Sequence, residues 1–548
     1  MRKITSFVLV AALTVSMSSL AQTKKPKATV APAPAPGNVE DLTAAQLKSY
    51  LTFIASDEME GRDTPSKGLN ITARFIAAML DRWGVQPAGE NGTYFQKINL
   101  RRTKLEPEKT VAEINGQSYK YGDDFLATAV PATVSGNCVY VGHGYVIKSK
   151  NINAYQTSSG TIDIKDKIII INSGFPKDVT MRELTGKQGE DWLDPMTYAR
   201  KNGAKAIVAI PNFLTLANWK NAQRNVQQRG SLLPEMGNDM PAQLPAITLS
   251  VPMVNALFAG ERTTGITILT RGAAGEMAEP FDLNKKVSFT IGGAVEQIPT
   301  QNVIGVLPGS DPVLKNEYVA IGAHYDHVGV GAPDAKGDSI YNGADDDGSG
   351  TTAVLALAET FAKGPRPKRS LLFIWHCGEE KGLWGSEYFT NHPTVDLKQV
   401  VTQLNIDMIG RSKPAGDTNP RNRELSGPNE IYVIGSKMMS TELGALSERV
   451  NNNFLKLEFN YKYDDPRDPN RFFFRSDHFN YAQKGVPIIF YFDGEHEDYH
   501  RPSDHVEKID FQKMEKVSRT VYATAWELGN AATRPKIDKQ LPAELSAN

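Results

Sequence analysis

Hydrophobic positions are spaced along this chain in three different ways. Leu69, Ala73, Ile76, Met79, Leu80 and Trp83 recur every three to four residues and stop at Gly84, which predicts an amphipathic helix lying on a core. Over 134–270 the apolar runs are short and β-rich, at 167–171, 206–210 and 244–249, with a helix predicted over 198–204. After Asn302 the runs 318–323, 371–375, 400–406 and 488–492 are nearly continuous, as interior parallel strands covered on both faces require. Helical stretches at 349–362 and 514–528 alternate with them. This alternation predicts an α/β layered sandwich. The 134–270 stretch brings few convergent titratable residues and reads as an inserted lid or recognition module with its own sheet.

The first residues follow another logic. Arg2 and Lys3 precede an apolar run over 7–15 and the small-residue site Ser19-Leu20-Ala21, the pattern of a cleaved signal peptide over 1–21. The run falls well short of the ~20 residues that span a bilayer, and no cysteine follows it to carry a lipid. A periplasmic or secreted protein is expected, with a Pro/Ala-rich linker over 22–38.

Composition narrows the classes further. A chain of 548 residues exceeds one core, and about 150 residues per domain suggests roughly three to four domains. Sixty-one basic against 62 acidic residues leave a net charge of -1, so no global field recruits nucleic acid or an anionic membrane. Hydrophobic content of 40% with 22% charged residues excludes a mostly disordered or polytopic membrane chain. Cys138 and Cys377 provide neither a disulfide framework nor a Cys-rich zinc site. Eight of the nine histidines lie between His324 and His505, so histidine chemistry belongs to the C-terminal half.

Ligands in open α/β sheets bind beyond the carboxyl ends of strands. Each predicted strand of that half leads into polar residues: His324-Tyr325-Asp326-His327, Gly378-Glu379-Glu380, Asp407, and a loop ending at His500. Asp345-Asp346-Asp347 precedes the 349–362 helix, whose N-terminus favours carboxylates. Histidines and carboxylates without a thiolate suit a catalytic zinc pair, bridged by a carboxylate ~3.5–4 Å apart. Of Glu379 and Glu380, one would bind metal and its neighbour act as general base.

Two competing motifs fail on inspection. The Asp triplet is not a calcium-binding EF-hand loop, because Ala356 occupies the position needing Glu. His496-Glu497-Asp498-Tyr499-His500 matches H-E-x-x-H, which requires a helix. Gly494 and Pro502 oppose one there.

Taken together, Ala323-His324-Tyr325-Asp326, the 343–350 segment Gly-Ala-Asp-Asp-Asp-Gly-Ser-Gly, the 377–386 segment around Glu379-Glu380, Asn405-Ile406-Asp407-Met408-Ile409-Gly410 and Asp498-Tyr499-His500 resemble the cocatalytic zinc aminopeptidase family. That family also holds glutamate carboxypeptidases, glutaminyl cyclases and transferrin-receptor ectodomains. The resemblance implies a zinc exopeptidase-like three-layer sandwich with a mixed, mainly parallel central sheet. It implies two zinc ions, one held by His324 and Asp407, the other by Glu380 and His500, with Asp346 bridging. Glu379 would be the general base, Asp326 the carboxylate orienting a liganding imidazole, and Tyr499 an oxyanion-stabilising tyrosine. Ser476-Asp477-His478 also resembles a recurring family segment. Met59-Glu60-Gly61-Arg62 looks like the opening of a family catalytic domain, and the insert like a protease-associated domain. The implied division is a catalytic domain over 39–133 and 271–535, the insert over 134–270 and a tail over 536–548.

The implied activity is an exported exopeptidase acting on peptides, foremost an aminopeptidase. A carboxypeptidase or dipeptidase, a single-zinc glutaminyl cyclase and a non-catalytic receptor-like protein are the alternatives. Glu495, Glu497 and Asp498 are candidates for recognising a free amine, and Arg471, Arg475 and Arg501 for clamping a carboxylate. Phe472-Phe473-Phe474 reads as core before pocket wall. Cys377 receives no role.

Overall fold

The computed structural model describes residues 35–541 apart from 185–186, 237–242, 277–278 and 466. The expected signal peptide, most of the 22–38 linker and residues 542–548 of the tail lie outside the described residues.

A ten-stranded sheet forms the larger layer. Its order is Ser231–Pro234, Phe95–Leu105, Gly293–Leu307, Ser370–His376, Tyr318–His324, Val400–Ile406, Ile488–Phe492, Glu430–Ile434 and Glu458–Asn460, and Gln86–Pro87 also pairs with Gly293–Leu307. The pleat explains why the central strands read as unbroken apolar runs. Leu371, Phe373 and Trp375 enter one core and Leu372 and Ile374 the other, because successive side chains point to opposite faces. Ala44–Ile54, Lys67–Arg82, Gly348–Lys363 and Phe511–Asn530 are helices whose apolar residues fill the first core. Trp384–Asn391 and His478–Gln483 contribute Phe389, Phe479 and Tyr481 to the second. The result is a helix–sheet–helix sandwich.

The sheet is mixed, but it is not mainly parallel. Parallel pairing joins the four strands from Ser370–His376 to Ile488–Phe492 and the edge pair Glu430–Ile434 with Glu458–Asn460. The other pairs are antiparallel. The difference comes from Phe95–Leu105 and Gly293–Leu307, which run antiparallel from the Val303–Phe95 pair to Gly293–Leu105. They carry the chain out of this sheet and back again. Burial alternates along Phe95–Leu105, and Gly293–Leu307 is largely exposed over 293–299, so neither forms a continuous apolar run.

Between them lies a second, eight-stranded mixed sheet. It begins with the Val111–Ile114 strand and ends with Phe281–Ile291, a wider span than the expected 134–270. Its strands also alternate between two cores, with Ile168 and Ile170 in one and Ile169 in the other. The segment is not wholly separate, since Ser231–Pro234 returns to the edge of the first sheet beside Phe95–Leu105.

Candidate metal centre

The carboxyl ends of the parallel strands converge with three loops. His324 is the last residue of Tyr318–His324, and Asp407 directly follows Val400–Ile406. Gly378, with φ 70°, turns the chain after Ser370–His376, so Glu379–Lys381 forms a single 3-10 turn. The Gly378 amide is held by Thr64 Oγ1 at 3.1 Å.

Three adjacent aspartates take three different orientations. Asp347 caps the Gly348–Lys363 helix, its Oδ1 accepting from the amides of Gly350 at 2.8 Å and Met408 at 3.1 Å. Asp345 accepts from Gly410 N at 2.7 Å and faces His496 Nε2 at 3.2 Å. Of the three, Asp346 is the one that meets His324, His327 and His500. A Cβ at Gly350 would lie 2.3 Å from the Ile406 carbonyl oxygen and 2.4 Å from Asp347 Oδ1, so the helix start can sit this close to the Asp407 loop only with glycine there.

Two groups of donors share Asp346: His324, Asp346 and Asp407 form one, and His327, Asp346, Glu380 and His500 the other. In the first, His324 Nε2 lies 3.4 Å from Asp346 Oδ1 and 3.6 Å from Asp407 Oδ1. In the second, His500 Nε2 lies 3.1 Å from Asp346 Oδ2 and 3.0 Å from Glu380 Oε2, and His327 Nδ1 lies 2.7 Å from Glu380 Oε1. Glu379 belongs to neither group, although its Oε2 is 3.9 Å from His324 Nε2. The buried Asp346 Oδ2, Glu380 Oε1, His500 Nε2 and both ring nitrogens of His327 have no hydrogen-bond partner among the described residues. Buried polar atoms normally have partners, and these are nitrogen and oxygen donors of the kind zinc takes, so the residues fit a metal pair.

The electrostatics agree with such a site. Burial pushes Asp346 upward, but the neighbouring His327, His324 and His500 outweigh it and hold the carboxyl well below its ordinary range. Burial pulls His500 down, yet the close carboxylates of Asp346 and Glu380 carry it up to about 10. Glu379 is raised well above the usual carboxylate range, first by burial and then by Glu380, Asp407 and Asp477, against the pull of His324. A carboxyl raised in this way is suited to proton transfer.

The surrounding shell fixes these groups. Asp326 Oδ1 accepts from the Glu379 amide at 3.2 Å and lies 3.7 Å from His324 Nδ1, whose nearer partner is the Asp326 backbone oxygen at 3.1 Å. Ser476 donates to Asp407 Oδ2 at 2.6 Å. The buried Arg62 donates to the carbonyl oxygens of Tyr325, Ile54, Asn342 and Gly343, which ties the 59–62 segment to the loops on either side of the site. Tyr499 stacks on His500 with ring centroids 4.0 Å apart and receives a bond from Arg475 at 3.3 Å.

His324, Asp346, Glu379, Asp407 and Tyr499 line one pocket with Met408, Phe472, Phe490, Phe492, Arg475 and Glu495. Phe472 is therefore both pocket wall and core, while Phe473 is core. Of the amine and carboxylate candidates, Glu495 and Arg475 reach the pocket and pair with each other at 2.7 Å. Asp498 pairs instead with Arg411 and Lys508, Glu497 accepts from Asn419, and Arg471 lies over the Phe474 ring. His496 and His500 share no helix, and His496 faces Asp345 behind the centre. His327 received no role from the sequence, where its only signal was its place three residues after His324.

Residues 302–525 match peptidase family M28. Aminopeptidase YwaD of Bacillus subtilis is 25% identical over 460 residues, covering 82% of this chain and 81% of that protein. A probable leucine aminopeptidase of Arthroderma benhamiae is 27% identical over 239 residues, covering 42% of this chain, and the match spans 58% of that relative's length. Among solved structures, the aminopeptidase from Aneurinibacillus sp. strain AM-1 superposes with a TM-score of 0.52 at 18% identity, covering 92% of this chain and 98% of that one; at this identity the likeness concerns the fold. The donors at the strand ends all lie within 302–525, the stretch that matches peptidase family M28.

Proposed function

We propose that the chain is an exported, two-zinc aminopeptidase that removes N-terminal residues from peptides, with Glu379 as general base. The observation that carries this reading is Asp346, whose two oxygens face separate donor groups, while Glu379 lies 3.9 Å from His324 Nε2 and belongs to neither group. His324 and Asp407 would hold one zinc, Glu380 and His500 the other, and Asp346 would bridge. Zinc bound there would supply Lewis acidity and lower the pKa of water towards ~7.

The chain's own residues supply the rest. Glu379 accepts the proton of the attacking water and delivers it to the leaving amine. Asp326 keeps His324 and the Glu379 backbone in register. The Tyr499 hydroxyl is a donor for the oxygen that gains charge on the attacked carbonyl. Met408, Phe472, Phe490 and Phe492 form an apolar wall for the substrate's first side chain. Arg475 is already paired with Glu495, which disfavours its use as a carboxylate clamp. The segment between the long antiparallel strands is read as a protease-associated module.

Metal analysis combined with a substrate panel tests the reading. Two zinc ions per chain and hydrolysis of aminoacyl amides are expected. Preference for dipeptides through their free C-terminus, or one zinc with cyclisation of N-terminal glutaminyl peptides, would overturn it.

A further inference from the structure

The two donor groups are unequal. The group around His324 offers three side chains, whereas the group around His500 offers four, because His327 joins Asp346, Glu380 and His500. His327 is fully buried, its Nε2 has no hydrogen-bond partner among the described residues, and its Nδ1 meets carboxylate oxygens of the donor group. Its Nδ1 is directed at the centre, 2.7 Å from Glu380 Oε1 and 3.7 Å from Asp346 Oδ2, and its ring meets that of His500 edge to face at 5.5 Å.

The fold makes room for this ring. Gly343 has φ 58°, and a Cβ there would lie 2.5 Å from His327 Cγ and Cδ2. The Gly343 carbonyl is fixed by Arg62, and the His327 amide donates to the Arg62 carbonyl at 3.3 Å. A buried imidazole seated by a glycine, with its Nδ1 among three other donors, is costly to retain without a partner. A metal ion meets that need.

We propose that His327 is a further metal ligand, so that the position built from His327, Asp346, Glu380 and His500 is closed by protein while the position at His324, Asp346 and Asp407 stays open for substrate. Closed four-ligand sites are structural in character, and three-ligand sites keep the exchangeable position. The open position is also the one beside Glu379, 3.9 Å from His324 Nε2. The proposal rests on the two-metal reading above and divides its labour: one ion is held tightly and fixes Asp346, and the other contacts the reacting group.

The experiment is a titration of metal-free protein with zinc and, separately, with cobalt, followed by calorimetry and visible absorption. Wild-type protein, His327→Ala and His327→Gln are compared, with circular dichroism to verify folding. Wild type is expected to bind in two steps, the tighter one giving the strong cobalt absorption of a four-coordinate site. Both variants should weaken only the tighter step, by roughly 10-fold or more, and lose much of that absorption as water replaces the imidazole. Asp407→Asn should weaken only the looser step. An unchanged tight step overturns the proposal, and so does a weakened step with an unchanged cobalt spectrum, which would make His327 a positioning residue for Glu380. Variants that fold only when metal is supplied would support it. A wild type that binds no divalent metal would sink the two-metal reading itself, so the two failures are distinguishable.

Discussion

Ser476 Oγ donates a 2.6 Å hydrogen bond to Oδ2 of Asp407, and the Asn405 side-chain amide donates one of 2.9 Å to Ser476. The pair fixes the rotation of the carboxylate, leaving Oδ1 towards His324. Ser476→Ala should therefore weaken zinc at the His324 position by roughly 10- to 100-fold, while Ser476→Thr recovers part of the loss. Calorimetric titration of the metal-free variants measures this, and wild-type affinity in the alanine variant would remove the role.

Glu379 lies outside both donor groups, so its neutral isostere should spare the metals. Glu379→Gln is expected to keep full zinc content and lose roughly 10²- to 10⁴-fold in turnover. Steady-state kinetics beside elemental analysis would show it; turnover within a few fold of wild type would rule out the general-base role.

His496 contacts Asp345 and Arg411. His496→Ala should retain both metals and cost about 1–3 kcal/mol, because the buried Asp345 Oδ2 loses its 3.2 Å contact with the imidazole. Asp346→Ala, by contrast, should lose both metals. Loss of one zinc from the His496 variant would return that residue to the metal centre.

Arg62 satisfies four buried carbonyl groups. Replacing it with methionine keeps much of the volume and strands those acceptors, at an expected cost of roughly 3–5 kcal/mol. Chemical denaturation is the measurement, and a loss below about 1 kcal/mol would show that the carbonyls find other partners.

Asp498 gives the acid response a sign. Burial pushes its carboxyl upward, but hydrogen bonds from Lys508, Ser503 and Arg411 outweigh this and lower it to about 2. A folded value below the unfolded one adds stability that is fully present above pH ~4 and disappears as pH falls towards ~2. With solvent screening the contribution is about 1–2 kcal/mol. Asp498→Asn should be less stable at pH 7 and lose less between pH 5 and 2, as urea unfolding across that range would show. Parallel pH curves for the two proteins would exclude the effect.

The legible parts of the fold were those buried on both faces. The runs 400–406 and 488–492 are strands with those bounds, because a strand between two helical layers is buried at every position and reads as a mostly apolar run, even with Thr402, Gln403 and Asn405 buried in the first. Phe95–Leu105 and Gly293–Leu307 were not legible. Each has a half-exposed face, and each finds its partner almost two hundred residues away. The same long-range pairing widened the inserted sheet beyond 134–270 and placed Ser231–Pro234 at the edge of the first sheet. Within the site, the family pattern singled out His324, Asp346, Glu380, Asp407 and His500, and these residues lie together. His327 escaped because a histidine in a loop carries no sign of burial until Gly343 is seen beside its ring.

Sequence alone determined the layered α/β class, the gathering of donor residues at strand ends and the exclusion of a helical H-E-x-x-H site. Each of these depends on local period or backbone preference, which neighbouring residues impose. The family resemblance named Asp346 and set Glu379 apart from the ligands; only the tertiary structure decided that the two oxygens of Asp346 face separate donor groups and that His327 stands within one of them. Those outcomes depend on which oxygen meets which nitrogen after segments far apart in the chain have closed on one another, and a residue's identity does not encode that orientation.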